Sequence, residues 1–145
     1  MALKTLVLFS LLVLGPLVMV RSQTPAAQRF KKNHIDHRDG PFSDNYCNKI
    51  MQERKLLNKP FNTFVHESLE AIQAVCHERN FCRNGKNNCY ESKRKMSITE
   101  CNLKSRHPPE YQTINRKAFI IIGCAGNPLM PVHFDCSCSS PADAG

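Results

Sequence analysis

The chain carries eight cysteines, and their setting constrains the fold more than any other feature. They follow a leader, MALKTLVLFSLLVLGPLVMVRS, in which one early cation, Lys4, precedes a nearly unbroken apolar run from Leu6 to Val20. This layout is the one expected of a secretory signal peptide over residues 1–22, with Val20 and Ser22 as the small residues before cleavage at Gln23. A membrane anchor is the alternative, but the run holds Gly15 and Pro16 and spans only about 15 residues, against the ~20 of a spanning helix. The expectation is a secreted, extracellular domain over 23–145 whose thiols are oxidised, because disulfides persist in oxidising compartments and compensate for a small core. Cys82 and Cys89 lack the C-x2-C spacing of a zinc site and no second pair matches them, so neither metal nor other cofactor is expected.

The formal net charge is +8, and +6 once Lys4 and Arg21 leave with the leader. A cationic secreted domain attracts polyanions: RNA, anionic glycans or anionic membranes. Charge by itself does not choose among them.

Helical spacing comes first along the chain. Ala26 to His37 predicts a helix with Phe30 and His34 on one face, stopped by Asp39-Gly40-Pro41. A second helix fits Tyr46 to Arg54, with Cys47, Ile50 and Met51 inward. Phe61 to Val65 reads as a strand and Ser68 to Cys76 as a third helix. The period then becomes alternating. Asn84-Gly85 signals a tight turn, and strands fit Lys95 to Leu103, Tyr111 to Thr113, Lys117 to Cys124 and Val132 to Cys138. Helices first and strands later predict an α+β domain with an antiparallel sheet, and a frayed tail over Ser139 to Gly145.

Most histidines are satisfied surface or core residues, and His37, His77 and His107 are read that way. His34 and His133 have more context. His34 lies on the apolar face of the first helix between Asn33 and Asp36. In Pro131-Val-His-Phe-Asp135, alternation puts His133 and Asp135 on one face and Val132 and Phe134 on the other. A carboxylate beside an imidazole fixes its tautomer and supports its protonated form.

A set of longer motifs turns this pattern into a resemblance. Asn45-Tyr-Cys-Asn48, Lys59-Pro60, Asn62-Thr-Phe-Val-His-Glu67, Gln73-Ala-Val-Cys76, Asn84-Gly85, Met96-Ser-Ile-Thr99, Gly126-Asn-Pro128 and Pro131-Val-His-Phe-Asp135 resemble the pancreatic ribonuclease family, in family order across nearly the whole of 23–145. The resemblance implies a bent antiparallel sheet with three short helices, stabilised by disulfides, and a cleft for single-stranded RNA. It implies His34 as general base, His133 as general acid and Lys59 as the cation that stabilises charge on phosphorus. Asp135 would orient His133, the Phe134 N–H would contact phosphate, and Thr63 would read a pyrimidine edge. Asn88 would read the following base, Asn33 would contact phosphate, and Arg83, Lys32 and Arg29 would flank the cleft. It also implies the pairs Cys47–Cys101, Cys76–Cys124 and Cys82–Cys89.

Some positions depart from the family pattern. Asn33 replaces the usual glutamine and reaches about one methylene less far. Ala125 stands where relatives often carry a glutamate near the second base. The fourth family bridge is missing at both ends, where Asn58 and Pro109 stand. A bridge closing a loop of roughly 50 residues stabilises by up to about 4 kcal/mol, so lower stability and a less tethered Lys59 are expected. Cys136 and Cys138 are additional. Two apart on a strand, they point the same way at roughly 6–7 Å, beyond the ~3.5–4.5 Å that a disulfide requires, which makes a covalent dimer through either thiol, or capping by small thiols, the expected alternatives to a strained internal bond. The leading expectation is an endoribonuclease that cuts 3′ of pyrimidines. The rivals are a secreted cationic binding or host-defence protein, and a tissue-specific protein keeping the fold with little activity.

Overall fold

A computed structural model of the chain describes residues 23–82 and 88–138. The leader, the Arg83 and Asn84-Gly85 positions and the Ser139–Gly145 tail lie outside the described residues. The elements are α1 (Pro25–His34), α2 (Tyr46–Glu53), β1 (Phe61–Val65), α3 (Leu69–Ala74) with a 3-10 turn at Val75–His77, β2 (Arg79–Asn80), β3 (Cys89–Glu91), β4 (Met96–Arg106), β5 (Pro109–Ala125) and β6 (Met130–Cys138). The fold is α+β with three helices and an antiparallel sheet among the described residues, ordered β1-β4-β5-β3-β2 with β6 also on β5.

α1 starts where Thr24 accepts the Ala27 N–H on its hydroxyl and Pro25 supplies a fixed φ at the first turn. It ends at His34 rather than running to His37. Beyond it, Ile35 turns extended and bridges Val65 in parallel, and the Asp36 N–H bonds the Val65 carbonyl at 3.0 Å. The freed carbonyls of Lys32 and Ile35 accept from the Arg54 guanidinium at 2.6 and 2.9 Å, a cap supplied by the end of α2. α3 is capped by the Ser68 hydroxyl, which accepts the Ala71 N–H.

β5 is one continuous strand where the sequence predicts two. Its first part pairs with β4, from Pro109↔Arg106 to Ala118↔Met96. Its second part pairs with β3 on one edge and β6 on the other. The polar stretch Asn115-Arg-Lys117 breaks the hydrophobic pattern just before this change of partners, yet its backbone remains paired with β4. Two apolar clusters pack against the two parts of the sheet. One joins Phe30, Val65, Ile72, Val75, Ile98 and Ile120 under α1 and α3. The other joins Ile50, Met51, Leu56, Phe64 and Tyr111 under α2.

Disulfides tie these parts together. Cys47–Cys101 anchors α2 to β4, Cys76–Cys124 anchors the 3-10 turn to β5, and Cys82–Cys89 closes the short loop before β3. Cys136 is half-buried and Cys138 is buried, on one side of β6 with Ile121 and Phe119, the shared face that alternation predicts. The Lys59 loop has its own tether: the Tyr111 hydroxyl donates to the Lys59 carbonyl at 2.6 Å, and the Leu103 N–H donates to the Pro60 carbonyl at 2.8 Å.

Candidate active site

A cleft of about 560 Å³ opens between α1, the Lys59 loop, β1 and β6. Its lining includes Asn33, His34, Lys59, Thr63, His133, Phe134 and Asp135. Seven positions implied by the resemblance thus converge from four separate segments. Arg29 also lines it. Asn88 does not: it is exposed beside β5, with its carbonyl accepting the Cys124 N–H at 2.9 Å.

His34 is held by the junction of α1 and β1. Its Nδ1 lies 2.9 Å from the Thr63 carbonyl, an oxygen that can only accept. Nδ1 therefore carries the proton, and Nε2 keeps its lone pair. Phe30 and Phe134 each lie 5.2 Å from the imidazole, the latter stacked on it. Burial lowers the His34 pKa to about 4, with the nearby charges of Lys59 and His133 acting in the same direction and the Thr63 bond opposing them.

Lys59 donates to the Asn62 side-chain oxygen at 3.0 Å, and the Asn62 amide donates to the Asn33 carbonyl at 2.8 Å. This chain links the lysine to the end of α1. Burial also lowers the lysine pKa, because desolvation disfavours the charged ammonium.

His133 projects from β6 opposite Gly123 of β5. Two register shifts flank this position, one between Ile121 and Ile122 and one between Gly123 and Cys124. Bulges of this kind re-aim side chains, here next to the cleft. Both His133 and Asp135 are exposed. His133 and Asp135 share one wall of the cleft, with no hydrogen bond joining them among the described residues.

Thr63 faces Glu100 across β1 and β4. The flanking bonds His66 N–H to Ser97 carbonyl and Leu103 N–H to Pro60 carbonyl set the ladder's phase. By that phase Thr63 and Glu100 form a non-hydrogen-bonded pair, and Thr63 turns its N–H and carbonyl away from β4. Its buried hydroxyl has no hydrogen-bond partner among the described residues. The Glu100 carboxylate accepts three hydrogen bonds: Arg116 Nε and Nη2 bond its two oxygens at 2.9 and 3.1 Å, and the Ser137 hydroxyl donates to Oε2 at 3.0 Å. These bonds, led by that of Arg116, hold the Glu100 carboxyl below the usual range. Sequence reasoning misses Glu100 and Ser137, which also line the cleft. Their meeting depends on a diagonal across β4, β5 and β6, and no local pattern announces it.

The family model for pancreatic ribonuclease matches residues 25–135, a span that contains every cleft residue described above except Ser137. The chain belongs to the pancreatic ribonuclease family. It is 46% identical to the rat pancreatic gamma-type ribonuclease (Rattus norvegicus), over 91% of this chain and 95% of the relative. It is 45% identical to the bovine brain ribonuclease (Bos taurus), over 98% and 92%, and 45% identical to the mouse pancreatic ribonuclease (Mus musculus), over 91% and 95%. As a pancreatic-type ribonuclease the chain is an endoribonuclease with RNA as its substrate class, and the cleft is where its residues are arranged to act.

Proposed function

We propose that this ribonuclease cleaves single-stranded RNA 3′ of pyrimidines by transphosphorylation, with His34 as base, His133 as acid and Lys59 as the stabilising cation. The observation that carries the reading is the fixed His34 tautomer, whose lone pair on Nε2 stands in one cleft with Lys59 and His133. Nε2 of His34 takes the proton of the ribose 2′-OH, and that oxygen attacks phosphorus. The P–O5′ bond breaks, and His133, protonated, delivers its proton to O5′. The products are a 2′,3′-cyclic phosphate and a free 5′-OH. With the histidine roles exchanged, water can then open the cyclic phosphate. The nucleophile belongs to the substrate, so DNA, which lacks it, is not cut. Lys59 opposes the charge that builds on the phosphoryl oxygens, and such preorganised stabilisation is a large part of catalysis at phosphorus.

In this reading Thr63 selects the pyrimidine through its unengaged N–H and hydroxyl, while Asn33, the Phe134 N–H and Arg29 contact phosphate. Asp135 would support the imidazolium of His133 by turning the ring toward it. Asn88, exposed beside β5, would read the base that follows. The apolar leader and the three disulfides support secretion. The test is cleavage of defined dinucleotides by the purified secreted protein, with products resolved by chromatography and EDTA present. Cyclic phosphate from CpA and UpA, and none from ApA, is expected. Cleavage after purines at equal rate, or inactivation by EDTA, would overturn the reading.

A further inference from the structure

We propose that Arg54 is the positioning residue for His34: its guanidinium clamps the backbone on both sides of the histidine and so fixes which ring nitrogen carries the proton. That role rests on the reading of His34 as base and adds the side chain that keeps it one.

α1 stops at His34, and the stop leaves a carbonyl without its helical donor. In a continued helix the Lys32 carbonyl would accept from the Asp36 N–H four residues on. That N–H is turned to the Val65 carbonyl instead, at 3.0 Å. Arg54 fills the gap. Its Nη1 donates to the Lys32 carbonyl at 2.6 Å and, at the longer distance of 3.4 Å, to that of Lys31, while Nη2 donates to the Ile35 carbonyl at 2.9 Å. The two short bonds straddle His34. A planar fork holds two carbonyls in one relative orientation, which a single ammonium does not. The cation also meets the negative end of the helix dipole.

The clamp is anchored on the strand that His34 must reach. Arg54 Cζ lies 5.8 Å over the Phe64 ring, and Phe64 is fully buried next to Thr63. The bond from His34 Nδ1–H to the Thr63 carbonyl, 2.9 Å, therefore joins the two segments that Arg54 bridges. The Asn62 amide grips the Asn33 carbonyl from the cleft side, and Ile35 bridges Val65, but neither contact takes the Lys32 carbonyl. Arg54 is outside the cleft lining. It acts through the backbone of α1, not on the substrate.

Without the clamp the end of α1 turns about its axis, the contact with the Thr63 carbonyl lengthens, and His34 is shared between its two tautomers. The form with its proton on Nε2 has no lone pair there to accept from the ribose. Water then reaches the ring and relieves the burial that lowers its pKa. Loss of the Thr63 bond works the other way but is the smaller of the two effects. The charged and titratable groups around the ring stay in place: Lys59 from its loop, His133 and Asp135 from β6, Glu100 from β4 and Arg29 from α1.

The experiment is NMR of the histidine ring nitrogens in the purified secreted protein, with pH profiles of kcat/KM on UpA from the same samples. The wild type is expected to carry the His34 proton on Nδ1 at neutral pH. Arg54→Ala should show both tautomers, a His34 titration moved up toward the ordinary 6.5, and an acid limb that moves with it. Its kcat should fall about tenfold, with KM within about twofold of wild type. Arg54→Lys restores the charge without the fork and should fall between the two; it also decides the matter if the alanine variant does not fold. A wild-type tautomer and acid limb in folded Arg54→Ala overturn the proposal whatever the turnover, because Arg54 then serves the fold alone. The same result in Arg54→Lys overturns it too, because charge without the fork then suffices. In both cases His34 stands as base. A wild type whose acid limb does not follow the His34 titration overturns the base reading and the proposal together.

Discussion

His34 and His133 meet opposite demands in the proposed reaction, and the environment of His34 suits a base. Burial lowers its pKa to about 4, so the neutral form that can accept a proton persists well below the ordinary histidine value. The sign follows directly. Activity that requires neutral His34 is lost as pH falls through that lowered value, and the acid limb of kcat/KM should lie below pH 6.5. An acid limb at or above the ordinary histidine value would contradict the link between burial and function. His34→Ala and His133→Ala should each lower turnover by about 10²–10⁴, read by initial rates on a fluorescent RNA substrate. Lys59→Ala should cost about 10²–10³ in turnover and leave the circular dichroism spectrum unchanged. Wild-type rates in that variant would show that the lysine does not reach the phosphoryl oxygens. The histidines and Lys59 are legible in the sequence because each sits in a dense local motif. Glu100, Arg116 and Ser137 are not, since sixteen residues separate the first pair and twenty-one the second.

At the scale of elements, β5 and β6 decide where His133 points. Gly123 lies opposite it, and a Cβ at Gly123 would stand 3.2 Å from the His133 Cβ. That contact is tighter than real side chains usually tolerate, and backbone on both strands resists a shift. Gly123→Ala should displace the imidazole by a few tenths of an ångström and lower turnover about tenfold with little change in melting temperature, since small misplacements of a reacting group are costly. Turnover equal to wild type would show that β6 yields without moving the histidine. The same strands show where periodicity fails. The sequence predicts two strands where β5 is one, because its polar middle stays paired with β4 instead of ending the ladder. It also predicts α1 three residues too long, because Val65 and Arg54 compete for the backbone after His34.

For the whole molecule, acid should be destabilising in two steps. His34 has a folded pKa of about 4 against an ordinary 6.5. Between those values the unfolded chain binds more protons, so the stability that neutral His34 contributes is complete above pH 6.5 and is lost as pH falls toward 4. Asp36 follows at lower pH. Burial pushes its carboxyl up, but bonds from Arg38 at 2.7 and 2.8 Å and from Tyr46 at 2.5 Å outweigh this and hold it below the ordinary value. Its contribution is present above the unfolded carboxylate pKa and disappears as pH falls through the folded one. Thermal melts should show the melting temperature falling from pH 6.5 to 4 and further below that. His34→Ala should flatten the upper part of that fall, and Asp36→Asn the lower. A melting temperature constant between pH 6.5 and 4 would contradict the account.

The sequence by itself determined the α+β class, the three helices, the oxidised cysteine framework and the motifs around His34, Lys59, Thr63 and His133. Those features arise from short-range causes: helical and alternating spacing, capping residues, and local strings of residue types. The tertiary structure alone decided that β5 runs unbroken past two sets of partners, that the Thr63 carbonyl fixes the proton of His34, and that Arg116 ties Glu100 to Ser137. Each of these depends on which backbone groups face one another across strands distant in sequence. That facing is set by register and bulges, which no single segment encodes.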